Sequence, residues 1–262
     1  MEFYQVDAFT QTALRGNPAA VLHLPKWLDD ATLLKIAQEN NLSDTAFFVG
    51  SENKYEIRWF TVVEEMGLCG HATLASAHVL FKEKNIPYDD IIFQSRTRGE
   101  LRAHKNEDGS ITLNFPADFP KQLKEEEFPA FVTEALGVKP LELCRGIDDF
   151  LALVKDADQL KALKPDFKLI GESNCRGIIA TAPGIDGFDF VSRFFLEAED
   201  PFTGSAHCTL TPYWSNKLSK TDFKVLQCSE RTGQGFTRLE GDRVYLTGFA
   251  KTCIRGNFHL EQ

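Results

Sequence analysis

The chain has 262 residues, 43% hydrophobic and 26% charged, with a formal net charge of −9. That length can bury a full core and hold two domains of about 130 residues each, and the composition excludes a disordered or low-complexity chain. Scattered basic residues on an acidic background argue against a nucleic-acid partner, which calls for a basic face. No apolar run approaches the roughly 18 residues a membrane span needs.

The opening stretch MEFYQVDAFT has neither the basic n-region nor the apolar h-region of a secretory signal. Six cysteines (Cys69, Cys144, Cys175, Cys208, Cys228 and Cys253) form no CxxC pair and are irregularly spaced. They read as reduced thiols of a cytoplasmic protein rather than a disulfide framework.

FYQVDAF (3–9) alternates and predicts a strand, and RGNPAAVLHL (15–24) is a turn feeding a second. DDATLLKIAQENN (29–41) has an Asp N-cap, helical apolar spacing and a terminal Asn, so it predicts a helix. DTAFFVG and YEIRWFTV follow as strands, and HATLASAHVLFKEK (71–84) as a helix. IIFQS, GELRAH and SITLNFP are short strands, with Asp108-Gly109 as a hairpin turn. PADFPKQLK (116–124) changes character and marks a domain boundary. The expected domains are 1–117, with the tail 251–262 packing back onto it, and 118–250.

The second half predicts a helix in EEFPAFVTEALG, a strand in FLALVK, a short helix in DADQLKALK and strands in GIIATA and FDFVSRFF. SAHCTLTPYWSNKL is a helix that can carry Pro212 only if it bends or repacks there. FKVLQCS, TRLEG and RVYLTGFA close the chain as strands.

CGHATLA begins at 69 and TGSAHCT at 203, about half the chain length apart. Each follows a strand-and-loop segment and opens a small-residue helix through x-Gly-x-Ala, which suggests a duplication. Two helix N-termini would then offer backbone N–H groups and positive dipole to an anion.

Three constellations could carry chemistry. In LCGHAT, Gly70 would permit a tight turn and His71 could bind a ligand or shuttle a proton; a capping or packing histidine is the alternative. His78 reads as a core or surface histidine. In AEDPFTGSAHC, Asp200, Thr203 and Ser205 surround Gly204 beside Glu199; capping is the alternative, although the cluster exceeds what a cap requires. In NNLSDTAFF, Asp44 precedes an apolar strand and could serve as a general base; an Asx-turn residue is the alternative. Cys69, His71, His207 and Cys208 are zinc-ligand types, but adjacent side chains on a turn and a helix point apart, so no metal is expected. There is no P-loop, G-x-G-x-x-G after a strand, or G-x-S-x-G elbow.

DAFT…RGNPAAV, NNLSDTAFF, RWFT…LCGHATLASAHVLF, FDFVSRFF and EDPFTGSAHCTLTPYWSNKL, in this order along nearly the whole chain, resemble the phenazine-biosynthesis PhzF-like isomerase family. The resemblance implies an α+β, diaminopimelate-epimerase-like fold. It has two pseudo-symmetric domains, each a curved, mostly antiparallel sheet around a central helix, with the site in their cleft. It implies a homodimer, no cofactor and a small-molecule carboxylate substrate. Asp44 falls on the acid/base position, where the family motif has glutamate. His71, Asp200 and Ser205 fall on the other catalytic positions. Gly70 and Gly204 fall on the helix-mouth glycines, Thr203 beside them, and Asn17 in the family GNP motif, all as substrate-binding positions.

Cys69 occupies a position where epimerase relatives carry one thiol of an acid/base pair, but its counterpart is Thr203, which excludes a two-thiol mechanism. Cys69 is then expected to pack. Val62 replaces a motif proline. Three readings follow: a cofactor-independent isomerase of a small, cyclic amino- or hydroxy-carboxylate, a binding or regulatory protein with weak or no catalysis because of Asp44, and a one-base racemase.

Overall fold

The structure, a computed structural model, describes residues 1–260. It divides into two units: residues 1–114 together with the chain from 247 onward, and residues 115–246. The sequence reading put these breaks at 117/118 and 250/251.

The first unit contains β1 (Glu2–Ala8), β2 (Asn17–Leu24), β3 (Asp44–Ser51), β4 (Lys54–Phe60), β5 (Glu65–Met66), β6 (Asp90–Ser95) and β7 (Gly99–Lys105). Next comes β8 (Ile111–Pro116), and the last strand of the chain, Ala250–Asn257, pairs with β1. β1 is antiparallel to β2, β2 parallel to β3, and β3 antiparallel to β4. β4 is antiparallel to β5 and parallel to β6, and β6 is antiparallel to β7.

The second unit contains β9 (Lys121–Gln122), β10 (Glu142–Arg145), β11 (Asp149–Leu153), β12 (Gly177–Pro183), β13 (Phe190–Phe195), β14 (Glu199–Asp200), β15 (Asp222–Gln227) and β16 (Gly233–Glu240), while β8 and β17 (Arg243–Gly248) each span a boundary between the units. Its pairings run antiparallel for β10–β11, parallel for β11–β12 and antiparallel for β12–β13. They continue antiparallel for β13–β14, parallel for β13–β15 and antiparallel for β15–β16. From β1 and from β10 the six pairings have the same sense in the same sequence, so the repeat read from two short motifs extends through both sheets.

Among the described residues there are six α-helices: α1 (Asp30–Asn40), α2 (Gly70–His78), α3 (Ala130–Leu136), α4 (Ala157–Ala162), α5 (Phe167–Gly171) and α6 (Gly204–Leu218). None is long and apolar enough to cross a membrane. α1 starts where Asp29 accepts from the Thr32 amide and stops at left-handed Asn41, as the sequence predicts. α2 packs against β1, β2, β3 and the last strand. Every residue from Gly70 to Ala77 is buried, which explains its small-residue composition: a helix enclosed on all sides has no polar face to display. Thr73 and Ser76 satisfy their buried hydroxyls on the carbonyls of Cys69 and Ala72.

Three departures from the sequence reading have physical causes. The predicted helix over 71–84 is α only to His78; Val79–Glu83 is a π-helical turn. Pro212 sits inside α6 and donates no N–H to the Cys208 carbonyl; the Asp118 amide takes that carbonyl instead, at 3.0 Å. RVYLTGFA is divided between β17 and the last strand. The two-residue strands and α5 were not predicted, being too short to show a period.

His207, on the first turns of α6, is fully buried with its ring stacked on Phe202 at 4.3 Å. Burial depresses its pKa to about 4, against a smaller opposing effect of its bond to the Thr203 carbonyl. The folded ring therefore stays neutral while the unfolded one protonates below about pH 6.5, so stability falls as pH drops from there towards 4. A His207→Phe variant should lose that share of the acid sensitivity, about 3 kcal/mol over the interval. Urea unfolding at pH 7 and pH 4.5 measures it, and equal acid loss in both proteins would contradict the assignment.

Candidate active site

The Gly-Asn-Pro turn sets the first polar cluster. Gly16 has φ +66°, and a Cβ there would lie 2.1 Å from the Ala8 carbonyl oxygen, so only glycine lets the chain return and start β2 at Asn17. β2 is parallel to β3 with Ala19 opposite Asp44, which places the first residue of β3 beside the start of β2. Asn17, Asp44 and the first turn of α2 meet there.

The Asn17 Nδ2 lies 3.1 Å from His71 Nδ1. Ser43 Oγ lies 3.3 Å from Asn17 Oδ1, 3.2 Å from the Pro18 carbonyl and 3.4 Å from His71 Nε2. His71 Nε2 is 3.5 Å from Asp44 Oδ2, longer than an ordinary N–H···O bond. Asn17 Nδ2 as donor to Nδ1 assigns the ring proton to Nε2, the nitrogen 3.5 Å from the Asp44 carboxyl. His71 is 4% exposed, and burial lowers its pKa to about 3. A neutral His71 makes no ion pair with Asp44.

Cys69 sits at the N-cap position of α2, 7% exposed, with Sγ 3.5 Å from His71 Nδ1 and 4.0 Å from Nε2. The expectation that it only packs is thus incomplete. Asp44, Cys69 and His71 bring one ligand-type atom each within 4.8 Å of one another. This is not the quartet weighed from the sequence: Asp44 takes part, while His207 is turned to the Thr203 carbonyl and Cys208 to the Gly204 carbonyl.

The second cluster surrounds the mouth of α6. Asp200 ends β14, where its carboxylate accepts from the Thr203 hydroxyl. Gln227 on β15 accepts from the Thr203 amide at 3.0 Å and donates to the Asp200 carbonyl at 2.7 Å. Ser205 Oγ accepts from Arg176 Nη1 at 3.0 Å. Arg176 is fixed by a two-point ion pair with Asp149, its Nε donating at 2.9 Å and its Nη2 to the other oxygen. The Asp149 carboxyl is 2% exposed, whereas the Arg176 side chain is 32% exposed. Burial pushes the Asp149 pKa up and Arg176 opposes it.

Gly70 and Gly204 are the first residues of their helices, and neither has a positive φ. The capping alternative for Asp200, Thr203 and Ser205 does not describe this mouth: neither Thr203 nor Cys69 makes a side-chain capping bond. Both helix mouths thus keep their N-cap side chains for other partners.

Sequence reasoning missed Ser43, Asp149, Arg176 and Gln227. A signal existed for Arg176: Arg176-Gly177 stands before β12 as Ser43-Asp44 stands before β3 in the repeated pairing order.

Comparisons with known proteins identify the family. The family model for phenazine biosynthesis-like proteins, PhzC-PhzF, matches residues 6–256. An uncharacterized isomerase of Pseudomonas aeruginosa is 43% identical over 99% of each chain. The crystal structure of a PhzF-family protein from Enterococcus faecalis superposes with a TM-score of 0.92 at 39% identity, covering 99% of each chain. A predicted epimerase of known structure from P. aeruginosa shares the fold, with a TM-score of 0.76 at 17% identity over 99% of each chain. With its α+β, diaminopimelate-epimerase-like architecture and a match over nearly its full length, the chain belongs to the PhzC/PhzF phenazine biosynthesis-like family.

Proposed function

We propose that the protein is a cofactor-independent isomerase that moves a carbon-bound proton on a small amino- or hydroxy-carboxylate, with Asp44 as the proton carrier. The observation that carries this reading is the Asp44–His71 couple, in which a buried, neutral imidazole stands with Nε2 3.5 Å from the Asp44 carboxyl. The isomerase names of bacterial relatives support the reaction class.

In this mechanism Asp44 accepts a proton from a substrate carbon, and the electron pair moves into the substrate's conjugated system. The protonated Asp44 then returns the proton to a second carbon. His71, with its pKa near 3, is not an acid at neutral pH; it holds and orients Asp44. The second cluster is suited to an anion: Arg176, Ser205 and the first-turn amides of α6 would receive a carboxylate, and Asp200 an ammonium or hydroxyl group. Asn17 and Ser43 hold the His71 tautomer.

Aspartate where the family motif has glutamate favours a second reading, a ligand-binding protein with little turnover. The two differ in proton NMR in D₂O with trans-2,3-dihydro-3-hydroxyanthranilate as probe. Isomerisation should proceed with the wild type and fall by about 10²-fold or more in Asp44→Ala, the usual worth of a general base. Ligand-induced shifts without isomerisation in either protein would support the binding reading. An Asp44→Glu variant much faster than the wild type would mark a degraded enzyme.

Arg176→Lys keeps the charge but loses the two-point geometry. It should raise KM for the probe about tenfold, the worth of one charge-assisted hydrogen bond, with kcat nearly unchanged. An unchanged KM would remove Arg176 from substrate binding.

A further inference from the structure

We propose that Asp44, Cys69 and His71 form a site for one thiophilic divalent cation, Zn²⁺ in the first place, and that its occupancy withdraws Asp44 from proton transfer. Three different ligand chemistries converge there, a carboxylate, a thiol and an imidazole, with their ligand atoms within 4.8 Å of one another. Among the described residues this is the group of three or more such side chains that meets that spacing. The Cys253–Asp7 contact, at 2.9 Å, brings only two ligand types together.

Zn–S of about 2.3 Å and Zn–N or Zn–O of about 2.0–2.1 Å place neighbouring ligand atoms roughly 3.3–3.5 Å apart at tetrahedral angles. His71 Nε2 is 3.5 Å from Asp44 Oδ2, while Cys69 Sγ is 4.0 Å from Nε2 and 3.5 Å from Nδ1, so the imidazole and the thiol turn towards one another to close the set. The remaining position is left for water, as in zinc sites with three protein ligands. Asp44, with 13% of its side chain exposed against 6% for His71, gives the ion its approach.

Charge and hydrogen bonding agree with the geometry. On coordination the Cys69 thiol releases its proton to solvent, and the thiolate and the Asp44 carboxylate together neutralise a divalent ion in a nearly closed space. With Nε2 on the metal, Nδ1 carries the ring proton, and Asn17 accepts it by turning its amide so that Oδ1 faces the ring. That is the outer-shell support a metal-bound histidine normally has. Thiolate and imidazole select Zn²⁺ or Co²⁺ over Mg²⁺ and Ca²⁺.

The site rests on the ligand geometry, and only the withdrawal of Asp44 rests on the isomerase reading, so binding is tested without turnover. Reduced full-length protein is titrated with Co²⁺ and its absorption spectrum recorded. One Co²⁺ per chain should give a near-ultraviolet thiolate-to-cobalt band with the strong visible bands of a tetrahedral ion, and Zn²⁺ should bleach both. The thiolate band should vanish in Cys69→Ala and in Cys69→Ser and persist in Cys253→Ala. Absence of the band in the wild type, or its survival in folded Cys69→Ala or Cys69→Ser, would overturn the site.

Discussion

Each unit hangs its helix mouth on a buried arginine that grips a two-residue strand. Arg58 on β4, 2% exposed, binds both oxygens of Glu65 on β5, and Nη2 also reaches Asp30 at 2.8 Å. At the repeated position Arg193 on β13 binds both oxygens of Glu199 on β14 at 2.7 and 2.9 Å. A strand of two residues has too few ladder bonds to hold itself, and a buried guanidinium needs a carboxylate partner. The two requirements meet in one ion pair. The chain that leaves β5 enters α2 at Gly70, and the chain that leaves β14 enters α6 at Gly204. The clasp therefore fixes where His71 and Ser205 stand. The copies differ in detail: Arg193 spends Nη1 on the carbonyls of Leu160 and Leu163, while Arg58 Nη1 has no partner.

The helix mouths give a chain without a nucleotide motif or catalytic triad its two polar clusters. Ordinarily an N-cap side chain bonds the first-turn amides. Here Cys69 turns its sulfur to His71, and Thr203 gives its hydroxyl to Asp200. At the first mouth, desolvation keeps the imidazole neutral, so the Asp44 carboxylate is the charge that chemistry can use. At the second, buried Asp149 holds Arg176 rigidly while a third of the arginine side chain stays exposed, an arrangement suited to an anion.

Much of this was legible in the sequence. α1 declares itself through Asp29 and Asn41, and CGHATLA and TGSAHCT announce a duplication that the strand pairings extend through both units. Asp44, His71, Asn17, Asp200, Thr203 and Ser205 were named from spacing and family likeness, and the fold groups them into two clusters. What stayed hidden depends on the third dimension. Asp149 and Arg176 are far apart in the chain and meet only because β11 is parallel to β12. The role of Cys69 depends on the direction of a sulfur atom. Pro212 is tolerated because a distant amide, that of Asp118, takes the carbonyl it leaves open. The α-to-π change after His78 alters no apolar period.

The account turns on the protonation of His71, which can be measured without a substrate. Nitrogen-15 NMR of the metal-free protein, with the His71 signal assigned by its loss in His71→Asn, reads both ring nitrogens between pH 5 and 8. A neutral ring protonated on Nε2 and unchanged across that range is the expected result, leaving Asp44 as the group that moves the proton. An imidazolium, or a titration inside the range, would make His71 an acid in its own right and contradict the assignment of Asp44 as sole proton carrier.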